Sequence, residues 1–302
     1  MQVRRSSAEI VVLAPAKLNL FFEVLARRED GYHEVETLMC PITLYDTLYF
    51  RAAAGQRLEL QCRWASRSDG GGRTIFEELP CGAKNLVVRA VELIRRRVGA
   101  NLGASLRLVK RIPTAAGLGG GSSDAAAALV AANKGWNLGL SRGRLAELAA
   151  ELGSDVPFFL ARGPSVCRGR GEQVEPVGGF GPLDFVIVRP PEGLATAAVY
   201  GLCRPAARPR SVSPLVEALR RGNRPQAGRL LHNRLQAAAG QLTPWIERLQ
   251  NAFARQDCPG HGMSGSGTSY FGLCRHARQA RRIAERLRAN GLGNVYAVRN
   301  CH

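Results

Sequence analysis

The chain has 302 residues, 45% hydrophobic, 22% charged and 6% aromatic. That apolar fraction excludes a disordered chain, and no apolar run approaches the roughly 18–20 residues of a membrane span. The net charge of +18 comes from 42 Lys+Arg against 24 Asp+Glu. No long basic tail and no basic run interleaved with aromatics accompanies it, so the surplus reads as a solvated surface and no nucleic acid is expected as a partner. At roughly 150 residues per domain, two domains are expected. The first residues lack an apolar core ahead of a cleavage site, so no secretory signal is expected and the cytoplasm is the default location. Eight cysteines without a CxxC pair, and five histidines without an HExxH motif, predict reduced thiols and no structural metal.

In chain order, residues 9–25 read as a strand region interrupted by Pro15. A turn follows at 28–31, then strands over 33–50 and 57–64. Residues 66–82 carry three consecutive glycines and read as an irregular insertion. Asn85 is placed to cap a helix whose buried face holds Leu86, Val87, Ala90, Leu93 and Ile94. Residues 105–109 alternate as a strand. Ser122, Ser123 and Asp124 then open an alanine-rich helix that Gly135 can stop. Ser141 starts another helix, ending at Gly153.

From about residue 180 the texture changes, with glycines at 178, 179 and 181 and Pro182 marking a boundary. The expected domains are 1–180 and 181–302. A strand at 184–189 precedes helical patterns near 213–221, 225–239 and 243–256. A Gly/Ser loop at 261–268 leads into a strand at 269–274, a basic helix at 275–290 and a strand at 294–299. This irregular mixture, with strands expected to be antiparallel, indicates an α+β fold.

Chemistry concentrates in four segments. Gly117-Leu118-Gly119-Gly120-Gly121-Ser122-Ser123 lies between a strand and a helix. Glycines let backbone N–H groups approach an anion, and a helix start adds unpaired N–H donors and a positive dipole end. The segment reads as a polyphosphate cradle, but not as a Walker loop, because no Gly-Lys-Ser/Thr follows. In Gly153-Ser154-Asp155-Val156-Pro157, an aspartate follows a helix and is locked by proline, so it could accept a proton from a substrate hydroxyl. Taken alone, a turn-forming Asp is the plainer reading. Lys17 lies in an apolar strand of a chain with four lysines against 38 arginines, which suggests a need for a compact point charge. Taken alone, a strand-end lysine reaching solvent is the favoured reading. Tyr32 and His33 follow a polar turn and could stack on a heteroaromatic base, or simply plug a hairpin.

Together, Pro15-Ala16-Lys17-Leu18-Asn19-Leu20, the central run from Pro113 to Ser123 and Gly265-Ser266-Gly267 resemble the three motifs of the GHMP small-molecule kinases. Gly31-Tyr32-His33-Glu34 and 153–157 narrow the resemblance to members that phosphorylate the 2-hydroxyl of 4-diphosphocytidyl-2-C-methyl-D-erythritol, in the non-mevalonate isoprenoid pathway. The match spans Ala14 to about Phe271. It implies a two-domain GHMP kinase fold, with an N-terminal domain like ribosomal protein S5 and a ferredoxin-like C-terminal domain. It implies ATP and Mg2+ as cofactors, with Ser122 or Ser123 as the candidate protein ligand and no protein-only metal site.

By position, the resemblance makes Asp155 the catalytic base and Lys17 its electrostatic partner. Asn19, Tyr32, His33, Tyr200, Gly265, Ser266 and Gly267 match substrate-binding positions, with Tyr32, His33 and Tyr200 toward the cytosine. Asn85, Pro113, Gly117, Leu118, Gly119, Gly120, Gly121, Ser122 and Ser123 match the ATP site. Two departures stand out. Asn233-Arg234-Leu235-Gln236 lacks both acids of the family's Asn-Asp-Leu/Phe-Glu, and the insertion near residue 70 is long. The alternatives are another GHMP kinase, acting on a mevalonate-type or sugar alcohol, and an RNA-binding protein with an S5-like domain. Monomer and weak homodimer both remain open.

Overall fold

The computed structural model describes residues 1–6, 9–65 and 79–301. The glycine run of the long insertion lies outside the described residues. The N-terminal half runs β1 (Gln2–Arg5), β2 (Ile10–Arg27), β3 (His33–Ala53), β4 (Leu58–Trp64), α1 (Leu86–Arg97), β5 (Gly103–Lys110), α2 (Gly120–Gly135) and α3 (Arg142–Leu152). A 3-10 turn at Pro157–Leu160 and the short strands β6 (Ser165–Arg168) and β7 (Gln173–Pro176) complete it. The sheet order is β1-β2-β3-β5-β4, with β6 on β3 and β7 on β6.

Pro15 does not interrupt β2. It sits where the register against β3 shifts, from Pro15 opposite Tyr45 to Ala16 opposite Ile42. A bulge accepts a residue that has no N–H to donate. The antiparallel expectation fails at one edge, where β4 runs parallel to β5. Helix α1 lies between them in the chain, and a crossover of that kind delivers parallel strands.

Helix α2 packs on α1, α3, β2 and β3. Its Ala125, Ala126, Ala127, Ala128, Leu129, Ala131 and Ala132 are all buried, because methyl side chains let the helix lie close to neighbours on several sides. Gly135 is not its stop. It belongs to the last turn, Trp136 is the C-cap, and a Cβ at Gly135 would run into the Phe50 ring. Close approach to the sheet, not a left-handed turn, requires this glycine.

The C-terminal half runs β8 (Asp184–Arg189), α4 (Thr196–Leu202), α5 (Ser213–Arg220), α6 (Arg224–Leu230), β9 (His232–Asn233), α7 (Gln236–Leu242), α8 (Trp245–Ala254), β10 (Gly260–Met263), β11 (Tyr270–Cys274), α9 (Ala277–Ala289) and β12 (Asn294–Arg299). Four of these strands form an antiparallel sheet in the order β10-β11-β8-β12. With a helix pair's worth of crossovers on it, this is the split βαβ arrangement expected for a ferredoxin-like unit. The helix expected over 225–239 is split. Leu231 leaves helical backbone, and His232 and Asn233 pair in parallel with Phe21 and Phe22 of β2.

The expected boundary at 180/181 falls between the two sheets, but β9 returns to the first one. One core cluster also joins them, with Leu18, Leu20 and Phe21 of β2 packed with Phe185, Ile187, Phe271 and Leu273. All eight cysteines are free thiols. Among the described residues, no helix is long and apolar enough to cross a membrane.

Candidate active site

Three backbone segments meet at the join between the sheets. The glycine-rich loop links β5 to α2. Gly119 is the N-cap of α2 with φ 70°, a left-handed conformation that favours glycine, and no side chain caps the helix. Ser122, Ser123 and Asp124 therefore lie inside the first turns rather than at the cap. The loop is held from both sides. The Lys17 N–H donates to the Leu118 carbonyl at 3.0 Å, and the Ser264 hydroxyl donates to the Gly117 carbonyl at 3.0 Å. The α2 N-terminus thus opens its free N–H groups onto a cleft of about 1120 Å3.

Asp155 lines the same cleft. The Val156 N–H donates to the Gly153 carbonyl at 3.1 Å, and Val156, Phe158 and Phe159 are buried, so core packing fixes the turn that carries the carboxylate. Lys17 reaches it from β2, with Nζ 3.5 Å from Asp155 Oδ2. The lysine side chain is 4% exposed and the aspartate 34%, so a shielded cation faces a carboxylate open to the cleft. Lys17 Nζ also donates to Asn19 Oδ1. Its stem passes directly under the loop, since a Cβ at Gly119 would lie 2.9 Å from Lys17 Cγ.

The other end of the cleft is aromatic. His33 and Tyr200 have ring centroids 5.0 Å apart, tilted by 34°. Tyr32 is 53% exposed, and the Arg170 guanidinium lies 5.0 Å from its ring centroid. Burial, then the nearby Arg27, holds His33 below the usual histidine range, so it is neutral near pH 7. Burial pushes the Tyr200 phenol up, with Asp155 adding to the effect.

The cleft is lined by Lys17, Tyr32, His33, Asn85, Pro113, Gly117 through Ser122, Asp155, Tyr200, Gly265, Ser266 and Gly267. Two expected site residues are placed elsewhere. Asn19 is buried behind Lys17, donating from Nδ2 to the Thr37 hydroxyl at 2.8 Å, so it orients the lysine and does not line the cleft. Ser123 is wholly buried and its hydroxyl has no hydrogen-bond partner, whereas Ser122 faces the cleft. Asn85 caps α1, its Oδ1 accepting from the Val87 N–H at 2.8 Å, while it also forms part of the wall.

Sequence reasoning missed the buried group under the loop. Lys110 Nζ donates to Asp124 Oδ2 at 2.6 Å and to Asp46. All three are nearly or fully buried, and Lys110 and Asp124 border the cleft. Burial pushes the Asp124 carboxyl up to about 8, with Asp46 adding to the rise and Lys110 opposing it. The scarcity of lysine that singled out Lys17 applied equally to Lys110.

The departing segment 233–236 holds a loop. Asn233 Nδ2 donates to the Met263 and Gly265 carbonyls, both at 2.8 Å, and Gln236 Oε1 accepts from the Met263 N–H at 3.0 Å. Arg234 pairs with the fully buried Glu23 carboxylate at 2.7 Å. The segment therefore positions Gly265-Ser266-Gly267 and also anchors to β2. Among the described residues, no group of three or more His, Cys, Asp or Glu side chains is arranged to hold a metal ion.

A helix N-terminus beside a Lys–Asp pair in one cleft has the parts of a phosphoryl-transfer site. Two family models match the chain, "GHMP kinases N terminal domain" over 85–163 and "GHMP kinases C terminal" over 215–292. The fold and the site are those of an ATP-dependent small-molecule kinase of the GHMP class. The 4-diphosphocytidyl-2-C-methyl-D-erythritol kinase of Pelotomaculum thermopropionicum is 42% identical over 281 residues, 92% of this chain and 94% of that one. The enzyme of the same name from Shouchella clausii is 39% identical, over 95% and 93% of the two chains. A crystal structure of a 4-(cytidine 5'-diphospho)-2C-methyl-D-erythritol kinase superposes with TM-score 0.78 at 36% identity, covering 97% of this chain and 99% of that one. An L. major mevalonate kinase shares the fold, with TM-score 0.73 at 15% identity over 99% of this chain and 97% of that one. The chain belongs to the 4-diphosphocytidyl-2-C-methyl-D-erythritol kinase family.

Proposed function

We propose that the protein transfers the γ-phosphoryl group of ATP to the 2-hydroxyl of 4-diphosphocytidyl-2-C-methyl-D-erythritol, giving the 2-phosphate and ADP. The observation that carries this reading is the Lys17–Asp155 pair at 3.5 Å, in the same cleft as the N-terminus of α2. The ATP phosphates lie on the N–H groups of 117–122, with the base toward Asn85. The cytosine lies among Tyr32, His33 and Tyr200, where a neutral imidazole can both donate and accept a hydrogen bond. Asp155 takes the proton of the 2-hydroxyl as the O–P bond forms and the bond to ADP breaks. Lys17 stabilises the charge that develops on the attacking oxygen. Asn19 acts behind it, fixing the lysine.

The residues present fit a magnesium ion that arrives with ATP, because Ser122 offers a hard hydroxyl donor on the cleft wall. When bound, it neutralises phosphate charge. The chain divides at 180/181 into two domains, and the cytoplasm is the compartment this reading implies. The test is ATP consumption with the diphosphocytidyl alcohol against mevalonate-type and sugar alcohols. Turnover confined to the cytidine-bearing substrate supports the reading. A preference for another alcohol, or salt-sensitive RNA binding without ATP turnover, overturns it.

A further inference from the structure

Arg170 is a cation that the reaction as described leaves without a task. It sits on the tight turn between β6 and β7, where the Gly171 N–H donates to the Arg168 carbonyl at 3.0 Å and the Arg170 N–H donates to Glu172 Oε2 at 2.7 Å. The turn lies against two elements that carry cleft residues. On one side, the Gly169 carbonyl accepts from the Val35 N–H at 2.8 Å, two residues beyond His33. On the other, a Cβ at Gly171 would lie 3.8 Å from Asp155 Oδ1. The Arg170 guanidinium borders the cleft and lies 5.0 Å from the Tyr32 ring centroid. Its ion pair with Glu172, at 3.8 Å, is too long for a hydrogen bond, so the guanidinium retains donors for a ligand.

A cytidine diphosphate ester carries its base at one end, its reacting alcohol at the other and two phosphates between. Here the base end is aromatic and the alcohol end is Asp155. A cation on the turn that contacts both lies where the diphosphate must pass. We propose that the Arg170 guanidinium binds the diphosphate of the substrate and thereby selects nucleoside-diphosphate alcohols over short alcohols. The assignment rests on the substrate reading above. A planar fork suits paired phosphate oxygens, and the cation–π contact with Tyr32 holds it ready.

The test is competitive inhibition by cytidine and by cytidine diphosphate, on wild type, Arg170→Gln and Arg170→Lys. Wild type should bind the diphosphate more tightly than the nucleoside. Arg170→Gln should lose about ten-fold in affinity for the diphosphate, with cytidine within two-fold. KM for the substrate should rise about ten-fold with KM for ATP unchanged. Arg170→Lys should recover most of the diphosphate preference. Equal losses for cytidine and the diphosphate would make Arg170 a brace for Tyr32 and overturn the proposal, as would an unchanged diphosphate affinity. Wild type that ignores both ligands overturns the substrate reading itself, and this assignment with it.

Discussion

Lys17 and Asp155 meet at 3.5 Å, one from the second strand and the other from the turn after the third helix. Each is fixed by its own surroundings, the lysine by Asn19 and the glycine-rich loop, the aspartate by the apolar turn behind it. Asp155→Asn and Lys17→Ala should each lower kcat by about 10²–10⁴. KM for ATP should change little, because neither group lies in the cradle itself. Asp155→Asn should leave the melting temperature nearly unchanged, since that carboxylate is open to the cleft. Turnover within a few-fold of wild type in both variants sinks the mechanism. The double variant should lose less than the sum of the two, as expected of groups acting as a unit.

Lys110 is a different kind of lysine. It is 4% exposed and lies between two buried carboxylates. Lys110→Met removes the cation and leaves Asp46 and Asp124 facing each other, which should cost about 3–5 kcal/mol. Urea denaturation measures this. A loss below about 1 kcal/mol would show that the two acids need no cation.

The Glu23 carboxyl links β2 to the C-terminal half. Burial opposes its ionisation, but Arg234 and the backbone N–H groups of Arg210 and Val24 outweigh burial and hold it at about 2, below the ordinary 4.5. A depressed carboxyl binds fewer protons folded than unfolded. The stability it contributes is therefore present above pH 4.5 and is lost as pH falls from there toward 2. Thermal melts of wild type should fall through that window more steeply than melts of Glu23→Gln. Parallel curves refute the linkage. Arg234→Ala should also loosen the loop that Asn233 holds and raise KM for the alcohol substrate.

Gly135→Ala sets two effects against each other. In an open helix the change should stabilise by about 1 kcal/mol. Here the new methyl meets the Phe50 ring in a closed core, and overpacking should cost about 1–3 kcal/mol. A destabilised variant by differential scanning confirms that packing dominates. A stabilised one would show that the Phe50 ring yields and that helix propensity dominates.

Much of the site was legible before the fold. The run 117–123 announced itself because glycines with free N–H groups beside a helix start have few other uses. Asn19 and Ser123 stand back from the cleft for different reasons: Asn19 leaves the same face of β2 as Lys17 but lies behind it, bonded to its ammonium, while Ser123 turns into the core beneath the first turn of α2. Arg170 gave no local signal among 38 arginines.

The sequence by itself determined the elements whose cause is local. These are the alternating strands, the alanine-rich helix, and the glycine loop whose φ demand is written in its residues. Only the tertiary structure decided the pairings that cost chain entropy and are repaid by distant contacts. It carried β2 through Pro15 by a bulge, broke the helix expected over 225–239 to dock His232 and Asn233 on β2, and brought Lys17 to Asp155. Propensity acts over a few residues. Those three outcomes depend on which surfaces are buried together, and no short stretch of the chain contains that information.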